Sequence, residues 1–394
     1  MKLKYTFIKF FLIGVSFLIG GGLSAQVSNI LPVTSSLSFL KIIPDARATA
    51  MGGIAIASDP DPYNIYNNSA KSVFNRYEHS LSLTYSPLFL NLGIKDIHYM
   101  NIAYSRNIKN KHSFGIGLKY LSLGKFQITD NEATVLNSIY SYEGSLDLAY
   151  SYKIIKNLSV GVNFRIANSA IATDIGVADA GNRNIFSLAG DIGLYYTRYF
   201  SKKDFKILAG FVFSNLGAKI TNYNSNYTGK NDIPRKIAIE GGISKYFAEE
   251  HKIFFGLGIS KILLKSIDTS TNQDKSTVTQ NYFSSFIDTE EGALGFFRSL
   301  YFQTGLEYAY RDNFFARIGY RYRDRVRGGG SFLALGVGVV LTNYNAGIDI
   351  SYVVPLSITN IKADPMYNTI KLSIYFELFP TRSEPENIRC AKVY

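Results

Sequence analysis

Hydrophobic and polar residues alternate along most of this chain, from about residue 76 almost to its end. In the segment 157–168 one face carries the apolar side chains of Leu158, Val160, Val162, Phe164 and Ile166. The other face of that segment is small or polar. A soluble sandwich would bury the apolar face in a core, whereas a small and polar opposite face suits the lumen of a membrane barrel. The pattern therefore predicts membrane-spanning β-strands.

About fourteen such segments follow one another, and each has about the ten residues that a tilted membrane strand requires. They lie near residues 77–87, 96–106, 112–123, 141–153, 157–168, 184–199, 205–215, 235–247, 251–263, 297–310, 313–323, 330–341, 344–354 and 368–378. No later stretch offers about 18 consecutive apolar residues, so transmembrane helices are not expected. The predicted fold is all-β, a transmembrane antiparallel β-barrel of about 14 strands.

The connections between these segments alternate in length. The short ones are 107–111, 154–156, 201–204, 248–250, 311–312 and 342–343, and the long ones include 124–140, 168–183, 216–234 and 264–296. Outer-membrane barrels have short periplasmic turns and longer outer loops. This parity predicts that the long loops lie outside the cell and that both termini lie in the periplasm.

A segment rich in small residues precedes the alternating region. Asp45 can start a short helix as its N-cap, Gly52-Gly53 can end it, and Asn67 or Asn68 can cap a second one. A barrel of about fourteen strands encloses a lumen wider than side chains alone can fill. Residues 26–75 are therefore predicted to form a plug in that lumen. Its candidate site residues are Asp45, Arg47, Gly52, Gly53, Asn67 and Asn68.

The first residues have the features of a secretory signal peptide. A basic region with three lysines precedes an apolar run at 10–19, and Leu23-Ser24-Ala25 forms a plausible cleavage site. The predicted organisation is a signal peptide at 1–25, the plug at 26–75, the barrel at 76–379 and a periplasmic tail at 380–394. Removing the signal peptide lowers the formal net charge from +12 to +9, because it carries three lysines and no acidic residue.

Composition agrees with a membrane barrel. The chain has 29 tyrosines and 28 phenylalanines but no tryptophan, and 18% of its residues are charged. Tyrosine must therefore supply the aromatic girdles of the barrel. The single cysteine, Cys390, excludes a disulfide within the chain.

Several short stretches resemble a known family, the PorV outer-membrane proteins of the type IX secretion system. The stretches are Ile43 to Gly52, Ala57 to Pro60, Asn68 to Lys71, Leu83 to Pro87, Tyr120 to Gly124 and Ile128 to Asp130. The resemblance is specific from about residue 38 to 165 and architectural beyond. It implies a fourteen-stranded FadL-like barrel in the outer membrane.

The resemblance also implies a role without catalysis. Members of this family bind the C-terminal signal domain of secreted cargo at the translocon barrel and pass it to the surface attachment (sortase) complex. This chain departs from the family pattern at 66–70, where Tyr-Asn-Asn-Ser-Ala replaces the usual Trp-Asn-Pro-Ala, and in the long loop 264–296. The paralogous PorQ shares the architecture, but the Pro-Asp-Ala-Arg stretch at 44–47 favours PorV.

Charged residues on three strands predict a cluster inside the lumen. Arg317, Arg321 and Arg323 share one face of a strand, and Glu307 and Asp349 face the lumen from nearby strands. These arginines could hold an acidic segment of the plug or a ligand, because guanidinium groups bind carboxylates through two hydrogen bonds. The alternative is ordinary charge lining that the acids balance. Arg325 and Arg327 continue into a loop, where anionic lipopolysaccharide is a candidate partner.

The loop 264–296 is the best candidate for binding cargo or the translocon. Its aromatic side chains bracket acidic ones: Phe283, Phe286, Asp288, Glu290, Glu291, Phe296 and Phe297. Large apolar patches rarely remain bare on a stable surface, so such a loop needs a partner. The alternative is that the long loops pack on one another and close the barrel mouth.

Common metal-binding and catalytic motifs do not occur in the sequence. The four histidines, His79, His98, His112 and His251, are scattered, and neither a H-E-x-x-H motif nor a cysteine pair occurs, so no metal site is expected. No G-x-S-x-G motif is present. No cofactor and no nucleic-acid partner are expected. The alternatives to a carrier are a FadL-like channel for small hydrophobic compounds and an enzyme with a triad assembled from separate strands.

Overall fold

Fourteen strands close into one antiparallel barrel, as the alternation predicts. The computed structural model describes residues 36–90, 93–129, 134–173, 181–218, 220–221, 230–247, 250–263, 292–324, 330–356 and 368–381. The barrel strands are β1 (Tyr77–Pro87), β2 (Ile97–Ile108), β3 (His112–Thr129), β4 (Val135–Ile155), β5 (Leu158–Thr173), β6 (Gly181–Phe200), β7 (Phe205–Gly217), β10 (Lys236–Phe247), β11 (His251–Ile262), β12 (Leu300–Tyr310), β13 (Phe314–Arg323), β14 (Phe332–Leu341), β15 (Ala346–Pro355) and β16 (Ile370–Pro380). Each pairs with its neighbours in sequence, and β1 pairs with β16 to complete the circle. Two further strands, β8 (Ile220–Thr221) and β9 (Lys230–Asn231), form a separate small ribbon.

The apolar face of the strands points outward and the polar face inward. In β5 the side chain of Phe164 is 48% exposed, whereas its polar neighbour Arg165 is 2% exposed. Most proteins show the reverse pattern, because water drives apolar side chains into the core. The inverted pattern follows from a barrel whose outer surface faces lipid tails.

Short turns lie at one end of the barrel, here called the turn end, and longer connections lie at the other, the loop end. Lys109 and Asn110 both have φ near +50°, and Arg311 and Asp312 repeat this geometry. Two positive φ angles in succession are required by the type I′ turn that joins antiparallel strands tightly. Strands β3 to β6 contain 16 to 21 residues, so the wall extends further at the loop end in this sector.

Residues 36–75, here called the inner segment, form short helices. Two are α-helical, α1 (Ala46–Ala50) and α2 (Asn64–Asn67), and two are 3-10 helices, Ser38–Lys41 and Ser69–Phe74. The Asp45 carboxylate accepts the N–H of Ala48 at 2.7 Å and so caps α1, as the sequence predicts. After α1 the chain turns through Gly52, at φ +69°, a conformation that glycine adopts without strain. One further α-helix, α3 (Gly292–Arg298), lies at the loop end before β12, and two short 3-10 helices, Ser201–Lys203 and Thr342–Tyr344, lie in turns at the turn end.

The inner segment lies inside the barrel. Its side chains or backbone contact all fourteen strands, from the Ser82 hydroxyl of β1, which donates to the Pro62 carbonyl, to the Ser373 hydroxyl of β16, which accepts the Ala46 N–H. A segment of this length reaches every strand of a closed ring only from within it. It fills space that the inward side chains of the wall leave open.

The inner segment runs from the loop end to the turn end. The N–H of Ser36 donates to the carbonyl of Asp232 at the loop end, whereas Asn75 donates through its amide to Ser80 near the turn end. The predicted position of both termini on the turn side stays a prediction, because the residues before Ser36 and after Thr381 lie outside the described residues. Strand parity fixes where strands begin and end, but it does not fix the path of the segment before the first strand. At the other end of the chain Thr381 donates to Arg76 at the turn end.

Within the described ranges, no helix is both long and apolar enough to cross a membrane.

A glycine pair brings the inner segment into backbone contact with the wall, and this contact can be tested. A Cβ on Gly319 of β13 would lie 2.0 Å from the backbone nitrogen of Gly52. We expect Gly319→Ala to destabilise the folded barrel by about 1–3 kcal/mol, because overpacking displaces the backbone. The midpoint of thermal unfolding, followed by the mobility shift of the folded barrel in gels, measures this effect.

Gly241→Ala is the matched control, because no heavy atom lies within 4 Å of the position of its Cβ. Equal unfolding midpoints for the two variants would contradict the close packing of Gly52 against β13.

Candidate functional site

Arg47 joins the inner segment to the barrel wall through a buried ionic network. Its guanidinium donates to both oxygens of Glu307 on β12, each at 3.0 Å, and to Asp61 of the inner segment at 3.0 Å. Glu307 also accepts from Arg317 of β13 at 2.6 Å. Arg317 in turn pairs with Asp349 of β15 at 2.5 Å. Two arginines and three carboxylates thus alternate across the lumen.

The sequence left open whether the lumen arginines hold the plug or pair with acids of the wall, and this network shows the partners of Arg317. Arg317 pairs with acids of the wall, as the charge-lining alternative expects. The inner segment pairs with this wall cluster through the basic Arg47, and its acidic Asp61 pairs with Arg47 rather than with Arg317. Removing one partner of a buried ion pair commonly costs about 3–5 kcal/mol, because the other charge stays buried without compensation.

A second group of charges holds the inner segment at the turn end. Asp59 accepts from Lys206 of β7 at 2.5 Å and lies 3.3 Å from the Nζ of Lys252 of β11. Lys252 also pairs with Asp312 in the β12–β13 turn at 3.0 Å. Burial acts to raise the pKa of Asp59, but the two ammonium groups hold it well below its usual range. Asp59 therefore stays ionised and bound at neutral pH.

One carboxylate of the wall binds consecutive backbone groups of the inner segment. Glu240 on β10 accepts the N–H groups of Ala55, Ile56 and Ala57 at 3.0, 2.7 and 3.0 Å. These N–H groups belong to no helix or strand, so the carboxylate satisfies donors that burial would otherwise leave unpaired. Glu240 was not among the site residues predicted from the sequence. Its only signal there was an acidic residue at an inward position of a predicted strand.

Lysines bind the carbonyls of the same segment. Lys71, fully buried, donates to the Ala55 carbonyl at 2.8 Å and to the Ser58 hydroxyl at 3.0 Å. Burial lowers the pKa of Lys71, and the nearby Asp61 opposes that change. Lys371 of β16 donates to the carbonyl of Ile43. Neither lysine was among the site residues predicted from the sequence.

Another buried network lines the opposite side of the lumen. Arg165 of β5 lies between Asp147 of β4, at 2.6 Å, and Asp191 of β6, at 2.9 Å. Next to it the hydroxyl of Tyr66 donates to the carbonyls of Ile102 and Leu118 at 2.5 and 2.9 Å. Gly117 makes room for this ring. The inner segment is thus attached on both sides of the barrel.

Asn67 and Asn68, two of the predicted plug residues, have different partners. Asn67 donates its amide to the Asp45 carboxylate at 2.8 Å. Asn68 accepts the N–H of Ala70 at 3.2 Å and so caps the 3-10 helix Ser69–Phe74. Where the family pattern has proline, this chain starts the helix with a side-chain cap.

An apolar and basic surface lies at the loop end around α3. Leu294 and Phe297 of α3 are 56% and 61% exposed. The Phe296 ring lies 4.4 Å from the Nζ of Lys261, and Arg298 lies 3.9 Å from Asp324. We call this surface, with the residues below it, the loop-end patch: Lys261, Leu294, Phe296, Phe297, Arg298, Tyr301, Arg321, Arg323 and Phe332.

Arg321 and Arg323, predicted as lumen charges, belong to this patch. Arg321 lies over the rings of Phe332 and Tyr301, at 4.5 and 5.6 Å, and Arg323 lies 4.9 Å from the Tyr301 ring. They lie over these rings rather than in the Glu307 network. Of the predicted loop residues, Phe283, Phe286, Asp288, Glu290 and Glu291 lie outside the described residues. So do Arg325 and Arg327.

Among the residues that the structure describes, no three His, Cys, Asp or Glu side chains are grouped to hold a metal ion.

The attachment of the inner segment by Arg47 can be tested with ion conductance. We expect Arg47→Met to release the segment from β12, to lower stability by about 3 kcal/mol, and to produce conducting openings in planar bilayers. Deletion of 27–70 provides the reference for a fully open barrel. Arg106→Met is the control, because Arg106 pairs with Glu78 at an exposed site worth at most about 1 kcal/mol. If Arg47→Met is as stable and as closed as the control, the ion pair does not hold the segment.

Comparison with solved structures finds similar barrels. The toluene transporter TodX of P. putida matches with a TM-score of 0.50 at 10% identity, over 85% of this chain and 98% of that one. The toluene transporter TbuX of Ralstonia pickettii gives 0.43 at 15% identity, over 84% and 96%. A Pseudomonas aeruginosa FadL homologue gives 0.41 at 14% identity, over 89% and 99%. At these identities the likeness concerns the fold alone.

The sequence itself matches one family model. A search of curated proteins gives no significant match. The model described as "Type IX secretion system protein PorV" matches residues 25–269, more than half of the chain. This match agrees with the barrel and with the stretches that resemble PorV. The chain therefore belongs to the PorV family and is an outer-membrane β-barrel protein of the type IX secretion system.

Proposed function

We propose that this protein is a non-enzymatic carrier of the type IX secretion system. In this proposal it binds the C-terminal signal domain of secreted cargo at the translocon barrel. It then passes the cargo to the surface attachment complex. The loop end faces the outside of the cell, and the turn end faces the periplasm.

The packing of the inner segment is the observation that supports this proposal best. The segment contacts every strand. Buried ion pairs attach it to β7, β11 and β12, and hydrogen bonds attach it to β3 and β5 on the opposite side of the lumen. A channel for small hydrophobic compounds needs a path through the barrel, so several buried pairs would have to break for each passage. A carrier needs only a stable scaffold that presents a surface. The packed lumen therefore favours a carrier over a FadL-like channel.

The loop-end patch has the chemistry that such a surface requires. Leu294 and Phe297 expose apolar area, and Arg323 adds positive charge to the patch, whereas Arg298 pairs with Asp324. Exposed apolar side chains beside a cation suit a partner that presents apolar and acidic groups together. The long wall of β3 to β6 rises at the same end and exposes Tyr140 and Phe186. We therefore assign cargo binding to the loop end.

Loss of cargo from patch variants tests this assignment. We expect Leu294→Ser/Phe297→Ser to reduce recovery of cargo with the purified protein by about tenfold, because buried aromatic anchors carry much of a typical interface energy. Replacing 270–292 by a short Gly/Ser linker should have a similar effect and leave assembly intact, since loop length changes closure entropy little. Pull-down from outer membranes measures both.

The control for this experiment is Tyr344→Ser, which removes an exposed ring at the turn end. We expect it to leave cargo recovery unchanged. Recovery of cargo and translocon at unaltered levels with both patch variants would show that the binding surface lies elsewhere.

The orientation has its own test. A tag inserted near residue 273, in a long loop, should be labelled on intact cells, and a tag near residue 203, in a short turn, should not. Loop lengths alternate with strand parity, so the reverse labelling pattern would place the loop end in the periplasm.

A further inference from the structure

Three neighbouring turns carry an excess of positive charge at the turn end. The turns β2–β3, β4–β5 and β6–β7 follow one another around the barrel. Their exposed cations are Lys109, Lys111, Lys156, Arg198 and Lys202, here called the basic rim. Within 107–111, 153–157 and 198–206 the only acidic residue is Asp204, which accepts a hydrogen bond from the Tyr199 hydroxyl at 2.8 Å.

Two of these cations lie over aromatic rings on the outer surface. The Nζ of Lys111 is 5.8 Å from the Tyr152 ring, and the guanidinium of Arg198 is 4.9 Å from the Phe200 ring. Ser151 and Tyr195 bind the inner segment and therefore face inward. Side chains alternate along a strand, so Tyr152 and Phe200, an odd number of positions further on, face outward. Ile154, at the next outward position of β4, is 49% exposed. The cations therefore lie level with an aromatic girdle, the depth at which lipid headgroups begin.

A contact between a histidine and a tyrosine occurs at three sites around the barrel, and the residue before the histidine differs in this sector. The Nδ1 atoms of His79, His112 and His251 lie 2.6, 2.9 and 2.7 Å from a tyrosine hydroxyl on the next strand. At two of the three sites a glutamate precedes the histidine. Glu78 pairs with Arg106 at 2.8 Å and Glu250 with Arg311 at 2.6 Å.

At the third site Lys111 precedes the histidine, so the position that is acidic elsewhere is basic here. Within the described ranges, no salt bridge joins Lys109, Lys111 or Arg198 to a carboxylate. A paired glutamate and arginine thus lie beside two of the three histidine–tyrosine contacts, whereas a lysine with no carboxylate partner in the described ranges lies beside the third.

We propose that the basic rim binds the phosphate groups of anionic glycerophospholipids in the leaflet at the turn end of the barrel. Cations at the membrane surface attract acidic headgroups. A soluble acidic partner would approach along the barrel axis, whereas Lys111 and Arg198 lie beside the rings that face lipid. The rim thereby holds a sector of acidic lipid against β2 to β7.

Native mass spectrometry of the full-length protein tests this inference. The protein in detergent is incubated with equal amounts of phosphatidylglycerol and phosphatidylethanolamine, and bound lipid is counted. We expect the wild-type protein to retain phosphatidylglycerol preferentially. Lys109→Gln/Lys111→Gln/Arg198→Gln/Lys202→Gln should lower the ratio of the two bound lipids on the order of tenfold. These side chains are exposed, so the mobility of the folded barrel in gels should not change.

Two matched variants complete the experiment. Glu78→Gln/Arg106→Gln/Glu250→Gln/Arg311→Gln removes both partners of each exposed pair without changing the net charge and should leave the lipid ratio unchanged. Glu78→Gln/Glu250→Gln frees those arginines and should raise it. An unchanged ratio in the rim variant would overturn the proposal. So would displacement of the lipid by an equimolar hexaglutamate peptide, which would assign the rim to an acidic protein segment.

Discussion

Closing fourteen strands into a barrel leaves a lumen that the side chains of the wall cannot fill, and the pairing of Arg47 with Glu307 is central to how this chain meets that constraint. A segment that enters the lumen brings backbone groups that water no longer reaches. Each must find a partner on the wall, or the barrel is destabilised. Glu240, Lys371 and the serines of β4 and β5 supply those partners. The polar inner face of the strands is therefore the binding surface for the chain's own inner segment.

The local parts of this architecture could be predicted from the sequence. Strand positions follow from the alternation, because a period of two fixes which side chains face lipid. The cap at Asp45 and the turn at Gly52 follow from the preferences of single residues. The partners inside the lumen could not be predicted. Arg47 and Glu307 are separated by 260 positions, and nothing local distinguishes Glu307 from other inward acids. The inner segment starts at the loop end, and this could not be predicted either, because strand parity does not constrain the path of the chain before the first strand.

Membership of the PorV family and the packed lumen together limit what this barrel does. Two of the similar solved structures are described as toluene transporters, but at 10–15% identity they inform the architecture alone. In this chain several charges that face the lumen, among them Glu307, Lys206 and Glu240, hold the inner segment, and others pair within the wall. The surfaces left for other molecules are the loop end, with its exposed rings around α3, and the lipid-facing belt. The proposed carrier function therefore depends on the ends and the outer surface of the barrel rather than on its interior.

The attachment of the inner segment also constrains the order in which the barrel assembles. Its last helix, Ser69–Phe74, contacts β2 to β6, whereas α1 near its beginning contacts β13 to β16. The first strands can therefore assemble on the near half of the segment as soon as they form. The far half finds its partners only when the last strands arrive, and the β1–β16 seam then closes around both halves. A ring closed beforehand would have to thread a folded, charged segment through its lumen. The contacts of the segment therefore suit it to act as a template for the wall, with the β1–β16 seam closing last.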